Sequence, residues 1–401
     1  MTKIFPALIF VPLALAVGCA HLADNDRHWV GTWGASPQLT EPRNLPPPPG
    51  LSSNTLRQVV HVSLGGKKLR VRFSNAFGDG PLTMAAAGVA VSAGGGAIKT
   101  KTEKTLMFAG RPDVTIPARE MIFSDVLDFD LASQSDVAVT IYFHETPRGV
   151  TGHPGSRATS FLAGSNVVSA AELPAAARML HWYVLTGIDV LAKNSAAAVV
   201  TLGDSITDGH GAVNDKNNRW PDNLTSRLQA NAGTRNVAVL NEGIGGNAVL
   251  RGGLGPTAQL RFDRDVLGQE SVRWLIVLEG VNDIGGSRGT NSTVAQDLIA
   301  AYQKLIDRAH AKKIPVYGAT IVPFGGSSYA SPAHEAARLE VNEWIRTSGK
   351  FDAVIDFDAA VRDPQNPDRL LRAADSGDHL HPGVKGYQMM ADAIDLKLFE
   401  N

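Results

Sequence analysis

The chain has 401 residues, with 38 Lys+Arg against 39 Asp+Glu, 44% hydrophobic residues and a single cysteine. That length fits two or three domains, each able to bury an ordinary core, while a net charge of −1 supplies no long-range field to gather nucleic acid or an anionic membrane surface. One cysteine excludes an internal disulfide and any Cys-based zinc or iron–sulfur site, and a charged fraction of 19% argues against wholesale disorder.

The chain opens Met1-Thr2-Lys3, runs almost wholly apolar from Ile4 to Val17, and reaches Gly18-Cys19-Ala20 before turning polar at Asp24. A positive start, a short apolar stretch and small residues at its end read as a secretory signal over residues 1–19, too short to span a bilayer and interrupted by Pro6 and Pro12. Leu15-Ala16-Val17-Gly18-Cys19 resembles a bacterial lipobox, although Ala16 stands where such boxes usually carry Leu. The signal implies an exported protein, periplasmic, an outer-membrane lipoprotein or extracellular: a lipidated Cys19 implies a membrane-anchored one, and cleavage after a small residue such as Ala20 a freely diffusing one. The mass of the mature N-terminus separates the two. No later segment is long and apolar enough to be a transmembrane helix.

From Trp29 to about Leu191 the texture is that of strands separated by turns. Val59 to Leu64 is followed by Gly65-Gly66, then by Lys68-Leu69-Arg70-Val71-Arg72-Phe73, whose alternation predicts a half-buried strand with one wet face. Val89-Ala90-Val91, Val114-Thr115-Ile116 and Val137 to Phe143 continue the series, and their spacing suggests a β-sandwich or jelly roll over residues 28–191. Trp29 and Trp33 fit packing in such a core better than stacking on a sugar.

The segment from Asp189 to Ala198 reads as a junction, and over residues 196–401 apolar strands alternate with longer helices. Ala198 to Leu202, Trp274 to Leu278 and Val316 to Ile321 are continuous buried strands, and Trp220 to Ala230 and Thr293 to Lys312 are helices. This alternation predicts an α/β domain with a parallel sheet flanked by helices.

Polar segments follow those strands. Leu202 leads directly into Gly203-Asp204-Ser205-Ile206, and ligands of open α/β sheets bind at the carboxyl ends of strands. A serine there either caps a helix or serves as a nucleophile. Asp378-His379-Leu380-His381-Pro382 precedes an apolar helical run; His381 can act as the base a serine needs, with Asp378 holding its ring, while His379 is not expected to be the base. A metal held by Asp378 and His381 lacks a His-Glu-x-x-His motif or a Cys to complete it. Asn241-Glu242-Gly243-Ile244-Gly245-Gly246-Asn247 and Gly280-Val281-Asn282-Asp283 offer backbone N–H groups and an Asn amide, donors suited to an oxyanion, or they are turns.

Together these four segments resemble, in order and spacing, the four blocks of the SGNH, or GDSL, hydrolases, from about Val199 to Ile394. The resemblance implies a three-layer, flavodoxin-like catalytic domain behind the β-rich one. It implies Ser205 as nucleophile, His381 as base, Asp378 as its orienting acid, and Ser205, Gly246 and Asn282 as oxyanion-hole donors, with no cofactor and no metal. Gly246 is chosen over Gly245 by counting from Asn241. The order Ser, Asp, His is shared with α/β-hydrolases, but no Gly-x-Ser-x-Gly elbow is present and Asp378 and His381 lie in one turn. The N-terminal arrangement is similar to exported bacterial esterases grouped with acetylxylan esterases, which implies an O-acetylated carbohydrate as the ester substrate. A short-chain carboxylester or lipid esterase is the rival expectation, and a non-catalytic carbohydrate-binding envelope protein a third.

Overall fold

The computed structural model describes residues 26–173, 175–287 and 291–400. The expected signal at residues 1–19, Cys19 included, lies outside the described residues. Among them no helix is long and apolar enough to cross a membrane.

The N-terminal part is strand-rich, compatible with a sandwich. One antiparallel sheet runs Arg27–Gly34, Leu185–Lys193, Gly66–Ser74, Leu127–Leu131, with Met121–Phe123 also on Gly66–Ser74. A second, larger antiparallel sheet is built around Asn54–Val62, Ser135–Glu145 and Leu82–Gly94. Leu69, Val71 and Phe73 are fully buried, as their alternation predicts. The opposite face departs from expectation, because Arg72 is only 6% exposed and donates to Thr186 O and to Gln269 Oε1 at 2.8 Å, while Arg70 pairs with Asp189 and Glu270. The supposedly wet face lies against the C-terminal part, and its arginines are matched there by polar groups. The Gly65-Gly66 link carries the chain from one sheet to the other, since the strands on either side of it do not pair. Trp33 is buried with its ring edge-on to Trp182 at 5.0 Å, and the half-buried Trp29 is covered by Arg70.

A third, small sheet joins Gln38–Leu39, Thr151–His153 and Trp182–Tyr183. Its strands end against the C-terminal half, where His153 Nε2 lies 2.9 Å from Asp208 Oδ1.

Leu185–Lys193 continues as a strand through most of the expected junction, and residues 194–196 lead into Ala197–Gly203. Five strands form a parallel sheet in the order Val237–Gly243, Ala197–Gly203, Val272–Leu278, Val316–Ala319, Ala353–Ile355. Numbered along the chain this is the order 2-1-3-4-5 of a flavodoxin-like sheet, whose switch point lies between the first strand and the third. Helices fall into two groups. Trp220–Ala230 and Val384–Asp392 pack together, tied by Arg227, which donates to Ile394 O at 2.9 Å. Asn291–His310 and Pro332–Thr347 form the other group, with Tyr302 stacked on Trp344. The strand Ala353–Ile355 and helix Pro332–Thr347 add to the elements expected from sequence. One continuous apolar core runs through both halves.

Candidate functional site

The strand Ala197–Gly203 is buried along its whole length and delivers Ser205 at the switch point. Gly203 is required there by space, because a Cβ would sit 2.1 Å from Thr207 Oγ1 and 2.8 Å from Leu278 O. Asp204 then caps a single helical turn, Ser205–Asp208, by accepting from Ile206 N at 2.9 Å. Burial, reinforced by the nearby Asp283 carboxylate, pushes the Asp204 carboxyl up to about 7. Ser205 is 8% exposed and is the first residue of its turn, so its own N–H has no intrahelical acceptor.

The turn before helix Val384–Asp392 comes back to this point. Ser205 Oγ lies 2.8 Å from His381 Nε2, and His381 Nδ1 lies 2.7 Å from Asp378 Oδ2. Asp378 Oδ1 accepts from the N–H groups of His381 and Leu380 and from Ser376 Oγ. Burial opposes ionisation of Asp378, but these hydrogen bonds outweigh it and hold the carboxyl well below the usual carboxylate range. With the Asp378 carboxylate accepting at Nδ1, a neutral His381 has its lone pair at Nε2, toward the serine. Burial lowers the His381 pKa more than Asp378 raises it, which keeps the ring neutral near pH 7. His379 turns away, its Nδ1 2.6 Å from Asp375 Oδ2.

Gly246 and Asn282 line the same pocket as Ser205 and His381, a cleft of about 330 Å³. Gly246 has φ +71°, a left-handed conformation that a side chain resists, and a Cβ there would press on Leu254. Asn282 lies in the helical turn Val281–Gly285 that follows strand Val272–Leu278. Its Nδ2 donates one hydrogen to Asn247 O at 2.7 Å and its Oδ1 accepts from Tyr329 Oη at 3.0 Å, which fixes the amide and leaves the second Nδ2 hydrogen for a ligand. Asp283 accepts from Val249 N and Leu250 N, pinning the Gly246 loop to the helix that carries Asn282.

Several site residues escaped sequence reasoning. His210 packs on His381 with ring centroids 4.1 Å apart. Arg157 Nη2 donates to His210 Nδ1 at 3.2 Å, so the His210 proton sits on Nε2, 3.7 Å from Asp378 Oδ2. Burial, then the neighbouring His381 and Arg157, lowers the His210 pKa. His210, Asp378 and His381 form a compact ligand set, but two of its atoms already serve the hydrogen bond from His381 to Asp378. The β-rich half supplies an entire wall, including Gln38, Arg43, Asn44, Gly155 and Arg157. Its His153 is buried between Ser36 O and Asp208 Oδ1, each 2.9 Å from a ring nitrogen. Two acceptors require two N–H donors. Burial opposes the charge, but Asp208 raises the His153 pKa in spite of it, giving an ion pair that joins the two halves at the Ser205 turn.

Beneath the floor, Arg261 is fully buried. Its guanidinium donates to Gly203 O, Glu242 O, Asn247 Oδ1, Ser36 Oγ, Asp265 and Glu279. It thereby ties the carboxyl ends of the first three parallel strands to one another and to the β-rich half.

Residues 201–389 match the family described as GDSL-like Lipase/Acylhydrolase. No curated protein matches the chain. Among solved structures, similar ones include a GDSL-like lipase from Bacteroides thetaiotaomicron VPI-5482 (19% identity over 49% of this chain and 84% of that one, TM-score 0.35). Another is the M. smegmatis aryl esterase (15% identity, 49% and 96%, TM-score 0.39). A third is a catalytic mutant of an acetylxylan esterase from Geobacillus stearothermophilus (19% identity, 51% and 94%, TM-score 0.38). Each spans about half of this chain, and none assigns it a substrate. The match over residues 201–389, just under half of the chain, places that C-terminal segment with the GDSL-like lipases/acylhydrolases and supports an ester hydrolase there.

Proposed function

We propose that the protein is a serine esterase that removes short acyl groups, foremost O-acetyl groups, from a carbohydrate. The observation that carries the mechanism is the unbroken line from Ser205 Oγ through His381 to Asp378 at 2.8 and 2.7 Å. Ser205 Oγ attacks the ester carbonyl as His381 Nε2 takes its proton. The oxyanion accepts from the N–H groups of Ser205 and Gly246 and from Asn282 Nδ2. His381 then returns the proton to the departing alcohol. Water, deprotonated by the same ring, attacks the acyl-enzyme and releases the acid and the free serine.

The short acyl group and polar alcohol are supported by the composition of the cleft. Apart from Pro154, Leu254, Tyr329 and Leu380, its walls are polar or glycine, which leaves no apolar channel for a long chain. Acetate release from acetylated xylan, set beside a p-nitrophenyl ester series, tests the reading. A preference for chains longer than butyrate would overturn the deacetylase reading and favour a lipid esterase.

Two further outcomes are expected. Asn282→Ala lowers kcat about 100- to 1000-fold, the usual cost of one oxyanion donor, with KM for p-nitrophenyl acetate little changed; a loss under tenfold would remove Asn282 from the oxyanion site. The base must be neutral to accept the serine proton. Because burial holds the His381 pKa below 6.5, the acid limb of the kcat/KM profile has its midpoint below pH 6.5. A midpoint above that value would contradict the assignment of His381.

A further inference from the structure

The wall that the β-rich half adds to the cleft carries more positive charge than the cleft neutralises. Arg157 sits in the link between strands Thr151–His153 and Ser160–Gly164 and holds a left-handed φ of +49°, unusual for a residue with a side chain. Its Nε is buried without a hydrogen-bond partner, and its guanidinium has one acceptor, the imidazole of His210. Arg43, on the segment after strand Gln38–Leu39, lines the same cleft and is exposed. Among the described residues neither arginine has an ion-pair partner.

The carboxylates of the cleft are otherwise engaged. Asp208 pairs with His153 through Oδ1, its Oδ2 being buried without a hydrogen-bond partner, and Asp378 pairs with His381. Both oxygens of Glu41 are taken, by the amides of Gln38 at 3.1 Å and Asn44 at 2.8 Å. Two guanidiniums thus stand against one carboxylate on this wall. An arginine fork held by its backbone, desolvated at Nε and left with a neutral acceptor is suited to a planar anion.

We propose that this wall selects esters whose alcohol portion bears a carboxylate, such as an O-acetylated uronic acid, and that Arg157 assisted by Arg43 anchors that carboxylate beside Ser205. The proposal rests on the esterase reading above and narrows its substrate class. It also gives the β-rich half a function, since without it the cleft has no cationic side.

The test compares two substrate pairs that differ in the anion. One pair is acetylated galacturonate oligosaccharides beside acetylated xylo-oligosaccharides. The other is 4-acetoxybenzoate beside 4-acetoxybenzamide, each rate divided by its spontaneous hydrolysis. The protein is expected to favour the carboxylate member of each pair in kcat/KM, and added salt should erode the preference by screening. Arg157→Gln should reduce the ratio of the two kcat/KM values about tenfold or more, the worth of a charge-assisted hydrogen bond, and Arg43→Gln should reduce it less. A ratio cancels any effect of Arg157 on the chemistry common to both substrates, and Arg43 is exposed enough for its substitution to leave folding intact. The proposal is overturned if neither pair shows a carboxylate preference, or if both variants retain the parent's preference. Preference in the benzoate pair with no turnover of either oligosaccharide would uphold the anion anchor and reject the carbohydrate. Loss of turnover on every ester, p-nitrophenyl acetate included, would reject the esterase reading and this one with it.

Discussion

Ser205→Ala is expected to lower kcat for p-nitrophenyl acetate by about 10⁴- to 10⁶-fold, the range found when a triad nucleophile is removed. The effect is large because, in the proposed mechanism, the hydroxyl oxygen bonds to the acyl group, and among the described residues no other hydroxyl is hydrogen-bonded to His381. His381→Ala should cost about as much, and the double variant little more than either, since the two groups act as a unit. Asp378→Ala should cost less than Ser205→Ala. Its side chain is 41% exposed, so water can replace part of the stabilisation of the imidazolium, and His381 keeps its packing against His210. Stability should change little in Ser205→Ala, because the substitution removes one oxygen from a pocket-lining residue and leaves the Asp204 cap in place. A Ser205→Ala rate within tenfold of the parent, at unchanged melting temperature, would remove Ser205 from the mechanism.

The juxtaposition of Ser205, His381 and Asp378 was legible in the sequence because each part is local. Gly203-Asp204-Ser205 has the strand end, the cap and the nucleophile in consecutive positions, and Asp378 reaches His381 within one turn. The parallel sheet was legible from its long apolar runs, whereas Ala353–Ile355 was not, being three residues between Asp352 and Asp356 and too short to show a period. His210 was hidden for a different reason. It follows Gly209 with no motif around it, and only the return of the C-terminal turn brings it to His381. The cationic wall is the extreme case. Gln38, Arg43 and Arg157 reach the cleft through a small sheet whose three strands come from distant parts of the chain, so no periodicity or spacing could assign them to it. The same holds for Lys68 to Phe73, where alternation reports which face is apolar but not whether the polar face meets water or a second domain.

Arg261→Met is expected to destabilise the protein by about 3–5 kcal/mol, the cost of leaving buried charges without their partner. The gain from a flexible apolar side chain in the same space cannot offset this, because three carboxylates converge on the site. Glu242 and Glu279 are fully buried and Asp265 is 1% exposed. Burial, with Asp265 nearby, already pushes the Glu242 carboxyl up to about 7. Burial and the Asp204 carboxylate raise Glu279 further above the ordinary value, against the pull of Arg261. Arg261→Lys should recover only part of the loss, since an ammonium has three donors and the guanidinium serves carbonyls on two strands, Asn247, Ser36, Asp265 and Glu279. The sign of the pH dependence follows from the direction of these shifts. An acid whose folded pKa is raised contributes its stability below the unfolded value, near 4.5 for Glu, and loses it as pH rises through the folded value. Removing Arg261 raises Glu242 and Glu279 again, so the deficit of Arg261→Met should be least near pH 5 and grow towards pH 8. Adding Glu279→Gln to Arg261→Met should flatten that growth by removing one titrating group. Urea unfolding at the two pH values measures both effects. A deficit below about 1 kcal/mol, the size expected of an exposed ion pair, or one that shrinks as pH rises, would show that the strand ends are held by packing alone.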